Sequence, residues 1–167
     1  MKNKLIDCKA LALSLEKKFI KQLQNYPTKP GLAFLLVGDD LPSQTYVARK
    51  RQACRRVGIY SEILHLNKAV SEVELLAAIE RYNQSPNIHG LIVQMPLPPH
   101  ISCSRINEAI CPAKDVDGFH PLNMGKLLLG DTTGFLPCSP YGIKLLLDSI
   151  SIDLTGKHVV IVGSSII

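Results

Sequence analysis

Three places in the chain put reactive side chains at spacings that chemistry can use. Tyr46 and Lys50 are four residues apart in a stretch whose apolar positions, Val47, Cys54 and Val57, recur with a helical period, so the two share one helix face. That face borders the apolar stripe. An ammonium group at the edge of a core is partly desolvated, which favours the neutral amine that can accept a proton; the same placement also suits a lysine whose stem packs while its head reaches water. Gln94 is the first polar residue after the apolar run Gly90–Val93. In open α/β sheets ligands sit beyond the carboxyl ends of the strands, so Gln94 either faces a ligand or hydrogen-bonds the proline-rich loop that follows it. The third place is Lys114-Asp-Val-Asp-Gly-Phe-His120. Its carboxylates, Asp115 and Asp117, allow a divalent cation with His120 nearby. They equally allow loop amides satisfied by turn-forming Asp, or one carboxylate gripping the two donors of an amino-pyrimidine-like edge.

The elements that must position these side chains alternate. Apolar residues at Leu11, Leu15, Phe19 and Leu23 predict a helix over 5–23, broken by the Pro and Gly of 26–31. Residues 32–37 are a continuous apolar run, the mark of a strand buried on both faces of a parallel sheet. A helix over 43–57 follows, with Ser43 as its N-cap and Gly58 closing it. Then come a strand at Tyr60–Leu66, a helix over 71–82 opened by a Ser71/Glu74 capping box, and a strand at Gly90–Val93. Shorter helices are expected over 102–110, 123–129 and 141–150, the last with Ser139 as cap and Pro140 in its first turn. Strands alternating with helices predict an α/β fold with a mostly parallel sheet. Residues 154–163 read as a polar turn and a buried strand ending in Gly163, the opening of a nucleotide-binding βαβ unit. The chain stops four residues later, so this second unit is expected to be incomplete.

Composition narrows the classes. With 46% hydrophobic and 20% charged residues the chain is neither disordered nor fibrous. Its apolar runs are too short for a membrane span, and the first residues lack the apolar segment and cleavage site of a secretory signal. A cytoplasmic protein with no membrane partner is expected. The net charge of +5 suits an anionic ligand. Nucleic acid is not expected, because the basic stretch around Arg49–Arg56 carries no interleaved aromatics. Five cysteines without Cys-x-x-Cys spacing predict free thiols, and five histidines without ligand spacing predict no structural metal.

Four blocks then identify a family. Gly38-Asp-Asp-x-Pro-Ser-Gln-x-Tyr-Val-x-x-Lys50, the stretch from Gly90 to Pro99 reading Gly-Leu-Ile-Val-Gln-Met-Pro-Leu-Pro-Pro, Lys114-Asp-Val-Asp-Gly-Phe-His-Pro-x-Asn123 and Pro137-Cys-Ser-Pro-Tyr-Gly142 occur in order across the chain. Together they resemble the bifunctional methylenetetrahydrofolate dehydrogenase/cyclohydrolase (FolD) family. The resemblance implies a one-carbon enzyme feeding purine biosynthesis. It would oxidise 5,10-methylenetetrahydrofolate with NADP and hydrolyse the 5,10-methenyl product to 10-formyltetrahydrofolate. It implies Lys50 as the catalytic proton shuttle, Tyr46 stacked on the folate ring, Gln94 bonded to Lys50, Asp117 anchoring the pterin and Ser43 beside that lysine. It also implies a homodimer, and cofactor contacts at Gly163, Ser164 and Ser165.

The implied architecture is a three-layer catalytic domain over 1–122, connecting helices over 123–150, and over 151–167 the first strand of a Rossmann-like NAD(P) domain. Ser164 stands where the family usually has Arg. That Arg would hold a 2′-phosphate, so NAD competes with NADP as the cofactor. Because the expected cofactor unit is incomplete, two rivals stand beside the bifunctional reading. One is a hydrolase-only fragment and the other a non-catalytic folate-binding or dimerisation remnant.

Overall fold

The structure, a computed structural model, describes residues 6–163. Its order is α1 (Cys8–Leu23), β1 (Gly31–Val37), α2 (Leu41–Val57), β2 (Tyr60–Leu66), α3 (Glu72–Gln84), β3 (Gly90–Val93), α4 (Cys103–Ala109), α5 (Pro121–Leu128) and α6 (Cys138–Ser149). The three strands form one parallel sheet in the order β2-β1-β3. Residue 115 adds a single parallel bridge to Leu91 outside β3.

The continuous apolar run of β1 is explained by its central place. Ala33, Leu35 and Val37 face one side and pack with Leu75, Ile79, Tyr82, Leu91 and Ile106. Phe34 and Leu36 face the other and pack with Val47, Cys54 and Ile92. Period two along a strand buried on both faces thus produces two cores, one under α3 and α4 and one under α2. The molecule has three layers, as expected.

Capping decides where the helices begin. Asp40, not Ser43, caps α2: its carboxylate accepts from the Ser43 amide at 2.9 Å. Pro42 falls in the first turn, where a missing N–H costs nothing, and that moves the start two residues earlier than the sequence suggests. Gly58 ends α2 with φ of 85°, and Ser71 with Glu74 forms the expected capping box on α3. In α6 the expected cap at Ser139 is not used; the helix starts at Cys138 behind Pro137, with no side-chain cap.

Lys114 performs a similar task at the far end of α3. Its Nζ donates to the carbonyls of Tyr82, Asn83 and Ser85 at 2.9, 2.6 and 2.7 Å. A cation at a helix C-terminus satisfies carbonyls that have no intrahelical partner. The same contact ties the 114–120 loop to the end of α3, while the Lys114 carbonyl accepts from the Leu91 amide of β3 at 2.8 Å.

The expected strand over 154–163 is not formed. Residues 157–163 have no regular structure, and Val160, Ile161 and Val162 are 71%, 86% and 98% exposed. A parallel strand is held by a neighbour's N–H and C=O groups, and among the described residues no strand lies beside this one.

Candidate active site

The strand order creates the site. β1 lies centrally, so the crossover through α2 leads to one neighbour, β2, and the crossover through α3 returns to the other, β3. The order of strand addition reverses beside β1, and at such a switch point an open parallel sheet has its crevice at the carboxyl ends of the strands, here β1 and β3. Gln94 leaves β3 at that point, its amide N–H donating to Leu35 O at 2.9 Å.

Lys50 reaches this crevice from α2. Val47, Cys54 and Val57 are buried against the sheet, which leaves the half-buried Lys50 on the flank nearest β3. Its Nζ donates to Gln94 Oε1 at 3.2 Å. The other end of that amide donates from Nε2 to Met95 O at 2.8 Å, which fixes the amide's orientation. Ser43, buried at 3% exposure, approaches the same carbonyl with its Oγ at 3.4 Å. Of the two readings left open for Gln94, the bond to the proline-rich loop is present, and the other end of the same amide faces the lysine. Tyr46 lies one turn before Lys50 on the helix and is 59% exposed, presenting an open aromatic face beside the crevice.

The Asp-Val-Asp loop splits its two carboxylates between different tasks. Asp115 is buried at 2% exposure and accepts from the amides of Gly118, Phe119 and His120 at 3.1, 3.2 and 2.8 Å. Asn123 Nδ2 adds a fourth donor at 2.8 Å. This is the turn-forming role, satisfied several times over. Asp117 takes no part in it. Burial pushes its carboxyl above the usual carboxylate range; the Lys50 charge opposes the shift and the Asp115 charge adds to it. His120 caps α5 by accepting from the Leu122 amide at 3.0 Å, and no metal-binding cluster occurs among the described residues. Asp117 is thus an acceptor held in a partly dry site and available to a donor pair.

The turn-forming reading of this loop falls to Asp115. One group here escaped the sequence reading: Cys138, whose thiol donates to Val116 O at 3.1 Å. Although the residue as a whole is exposed, this thiol turns inward, and burial pushes it up, with Asp117 adding and Lys50 opposing. Gly118 explains why the segments meet: a Cβ there would lie 2.6 Å from Leu136 C and Pro137 N, at a φ of 77°. Only glycine allows the loop to press against the start of α6.

Of the residues expected to contact a cofactor, only Gly163 falls among the described residues. Gly163 is exposed in an irregular segment, and Ser164 and Ser165 lie outside the described residues. A dinucleotide site needs a strand, a glycine turn and the N-terminus of the next helix; residues 151–163 provide none of these.

Comparison with known proteins matches this geometry. Residues 6–117 fit the family model "Tetrahydrofolate dehydrogenase/cyclohydrolase, catalytic domain". The bifunctional protein FolD of Nautilia profundicola is 48% identical over 164 residues, covering 96% of this chain and 57% of the relative. The crystal structure of the bifunctional FolD dehydrogenase/cyclohydrolase of Campylobacter jejuni superposes with a TM-score of 0.86 at 45% identity, over 89% of this chain and 54% of that one. The Trypanosoma brucei dehydrogenase-cyclohydrolase, solved with NADP and an inhibitor, superposes at 0.87 with 30% identity, over 92% of this chain and 54% of that one. The chain spans about half the length of the curated relatives it matches. Sequence, fold and crevice agree, and this chain belongs to the tetrahydrofolate dehydrogenase/cyclohydrolase family through its catalytic domain.

Proposed function

We propose that this chain binds a reduced folate and carries the hydrolytic chemistry of its family, converting 5,10-methenyltetrahydrofolate to 10-formyltetrahydrofolate. The observation that supports this most is the Lys50–Gln94 contact at 3.2 Å, with the half-buried Asp117 carboxyl sensing the same charge. In the hydrolysis, water adds to the methenyl carbon and its proton passes to the Lys50 amine. The resulting ammonium returns a proton to N5 of the pterin as the carbon–N5 bond breaks, leaving the formyl group on N10. A second proton goes to solvent. Gln94 Oε1 holds the lysine in line for both transfers, which is the geometry general acid–base catalysis requires.

Tyr46 offers its ring for stacking on the folate. Asp117 accepts from the amino-pyrimidine edge, two acceptors to two donors. Ser43 lies buried beside the crevice, its Oγ 3.4 Å from the Met95 carbonyl that Gln94 bonds. The relatives' names include a dehydrogenase, and we extend oxidation of 5,10-methylenetetrahydrofolate, with NADP or NAD as hydride acceptor, to the whole protein of which this domain is characteristic. Residues 151–163 do not fit a dinucleotide, so no step of the hydrolysis is routed through one. Five free thiols suit a reducing cytoplasm. The exposed side chains of Leu128 and Leu129, 85% and 87% exposed, offer apolar surface for a second copy of the chain.

The test is direct. Purified polypeptide is mixed with 5,10-methenyltetrahydrofolate and loss of the methenyl absorbance is followed. Turnover above the spontaneous rate supports the proposal. Saturable folate binding without turnover would point to the non-catalytic remnant, and neither would refute a folate site.

A further inference from the structure

Asp40 lies outside the cluster just described, yet it touches the same network through one residue. Its Oδ2 accepts both from the Ser43 amide at 2.9 Å and from the Ser43 hydroxyl at 2.6 Å. A hydroxyl has one proton to donate. At 2.6 Å to a carboxylate against 3.4 Å to Met95 O, that proton belongs to Asp40. The Met95 carbonyl is left to the Gln94 amide, whose Nε2 donates to it at 2.8 Å. With the NH2 end so engaged, the opposite end of the amide, Oε1, faces Lys50 Nζ. A reversed amide would set an NH2 group against an ammonium.

We propose that Asp40 is a positioning residue for the Lys50–Gln94 pair: by holding the Ser43 hydroxyl proton it reserves the Met95 carbonyl for Gln94 and so aims Gln94 Oε1 at the lysine. The functional consequence rests on the reading of Lys50 as the proton-handling group. Remove the carboxylate, and the Ser43 hydroxyl is free to donate to Met95 O, which has a second lone pair to accept it; sharing that acceptor weakens the Gln94 bond. The Gln94 amide then loosens, and Lys50 with it. Asp40 itself never touches the substrate.

This differs from a simple capping role in one measurable way. If Asp40 acts through the Ser43 proton, its loss has no effect on Lys50 once that hydroxyl is gone. A cap acting through the Ser43 backbone amide would matter equally with or without the hydroxyl. The experiment uses the full chain labelled with ¹³C at lysine Cε, the Lys50 signal being assigned by its absence in K50R. D40G removes the carboxylate while keeping a residue that N-caps helices nearly as well as the polar caps, so the variant folds. D40N keeps an acceptor oxygen.

The expected result is a shifted or broadened Lys50 signal in D40G, restoration in D40N, and no effect of D40G in the S43A background. In hydrolysis, D40G lowers kcat about 3–10-fold, the effect of a hydrogen bond weakened rather than lost, with KM little changed. An unchanged Lys50 signal in D40G, or an equal change in the S43A background, overturns the inference. Absence of hydrolysis by the unaltered chain counts against the proposed function instead, and the Lys50 signal still decides the role of Asp40.

Discussion

Lys50 Nζ and Gln94 Oε1 meet at 3.2 Å, although 44 residues separate them in the chain. One sits on the flank of α2 and the other at the carboxyl end of β3, and the contact exists because both elements pack on β1. A lysine at the edge of an apolar stripe, taken alone, would extend to water. Here an oriented amide holds its head in the crevice, and a fixed head is what proton transfer needs.

Lys50→Met should therefore abolish the hydrolysis. Loss of a general base costs about 10²–10⁴-fold in rate, while folate binding should change little because the methionine keeps the stem's packing. Single-turnover assays alongside equilibrium binding separate the two. A variant within a few-fold of the parent rate would remove Lys50 from the mechanism.

Asp117→Ala should weaken folate binding by roughly 1.5–3 kcal/mol, the loss of a charge-assisted bond, with no effect of EDTA on the parent chain. The carboxyl titrates above its usual range. Binding that needs the carboxylate should thus decline as pH falls, at a higher pH than an ordinary Asp would dictate. Calorimetric titration across pH checks both points; recovery of binding on adding Mg²⁺ would revive a cation at this loop.

The same shift predicts a stability effect of opposite sense. Because folding raises the Asp117 pKa, its contribution to stability is fully present below the unfolded-state value and is lost as pH rises through the folded one. Asp117→Asn should then raise Tm at neutral pH and give no gain in acid. Thermal melts at neutral and acid pH make the comparison, and a lower Tm at neutral pH would contradict it.

Asp115→Asn should be costly, since an NH2 group would replace an acceptor facing three backbone amides and Asn123. Breaking a buried charged network typically costs about 3 kcal/mol or more. Gly118→Ala should destabilise through a different cause, the φ of 77° and the backbone of Leu136 and Pro137 in the way. Melting temperatures should fall for both, and Gly118→Ala should also expose the Cys138 thiol to a maleimide.

Titration of the 167-residue polypeptide with NADP or NAD should show no saturable signal at millimolar concentration, because residues 157–163 form no strand or amide cradle. A micromolar dissociation constant would mean that a second copy completes the site.

The local elements were legible in the sequence because their causes are local. Tyr60–Leu66 and Gly90–Val93 lie where β propensity or an apolar run meets its punctuation, and Gly58 and the Ser71/Glu74 box act within one helical turn. The four motif blocks likewise named the family before any coordinates. Tertiary structure decided what depends on distant partners. It gave the loop-forming task to Asp115 and left the Asp117 carboxylate outside that network, a division that two carboxylates two residues apart cannot reveal. It moved the α2 cap to Asp40, and it joined Lys50 to Gln94 through the shared packing on β1. It also left residues 157–163 without a strand despite their apolar run. Hydrophobic pattern says that a segment can be a strand; only a neighbouring strand's unpaired N–H and C=O groups make it one.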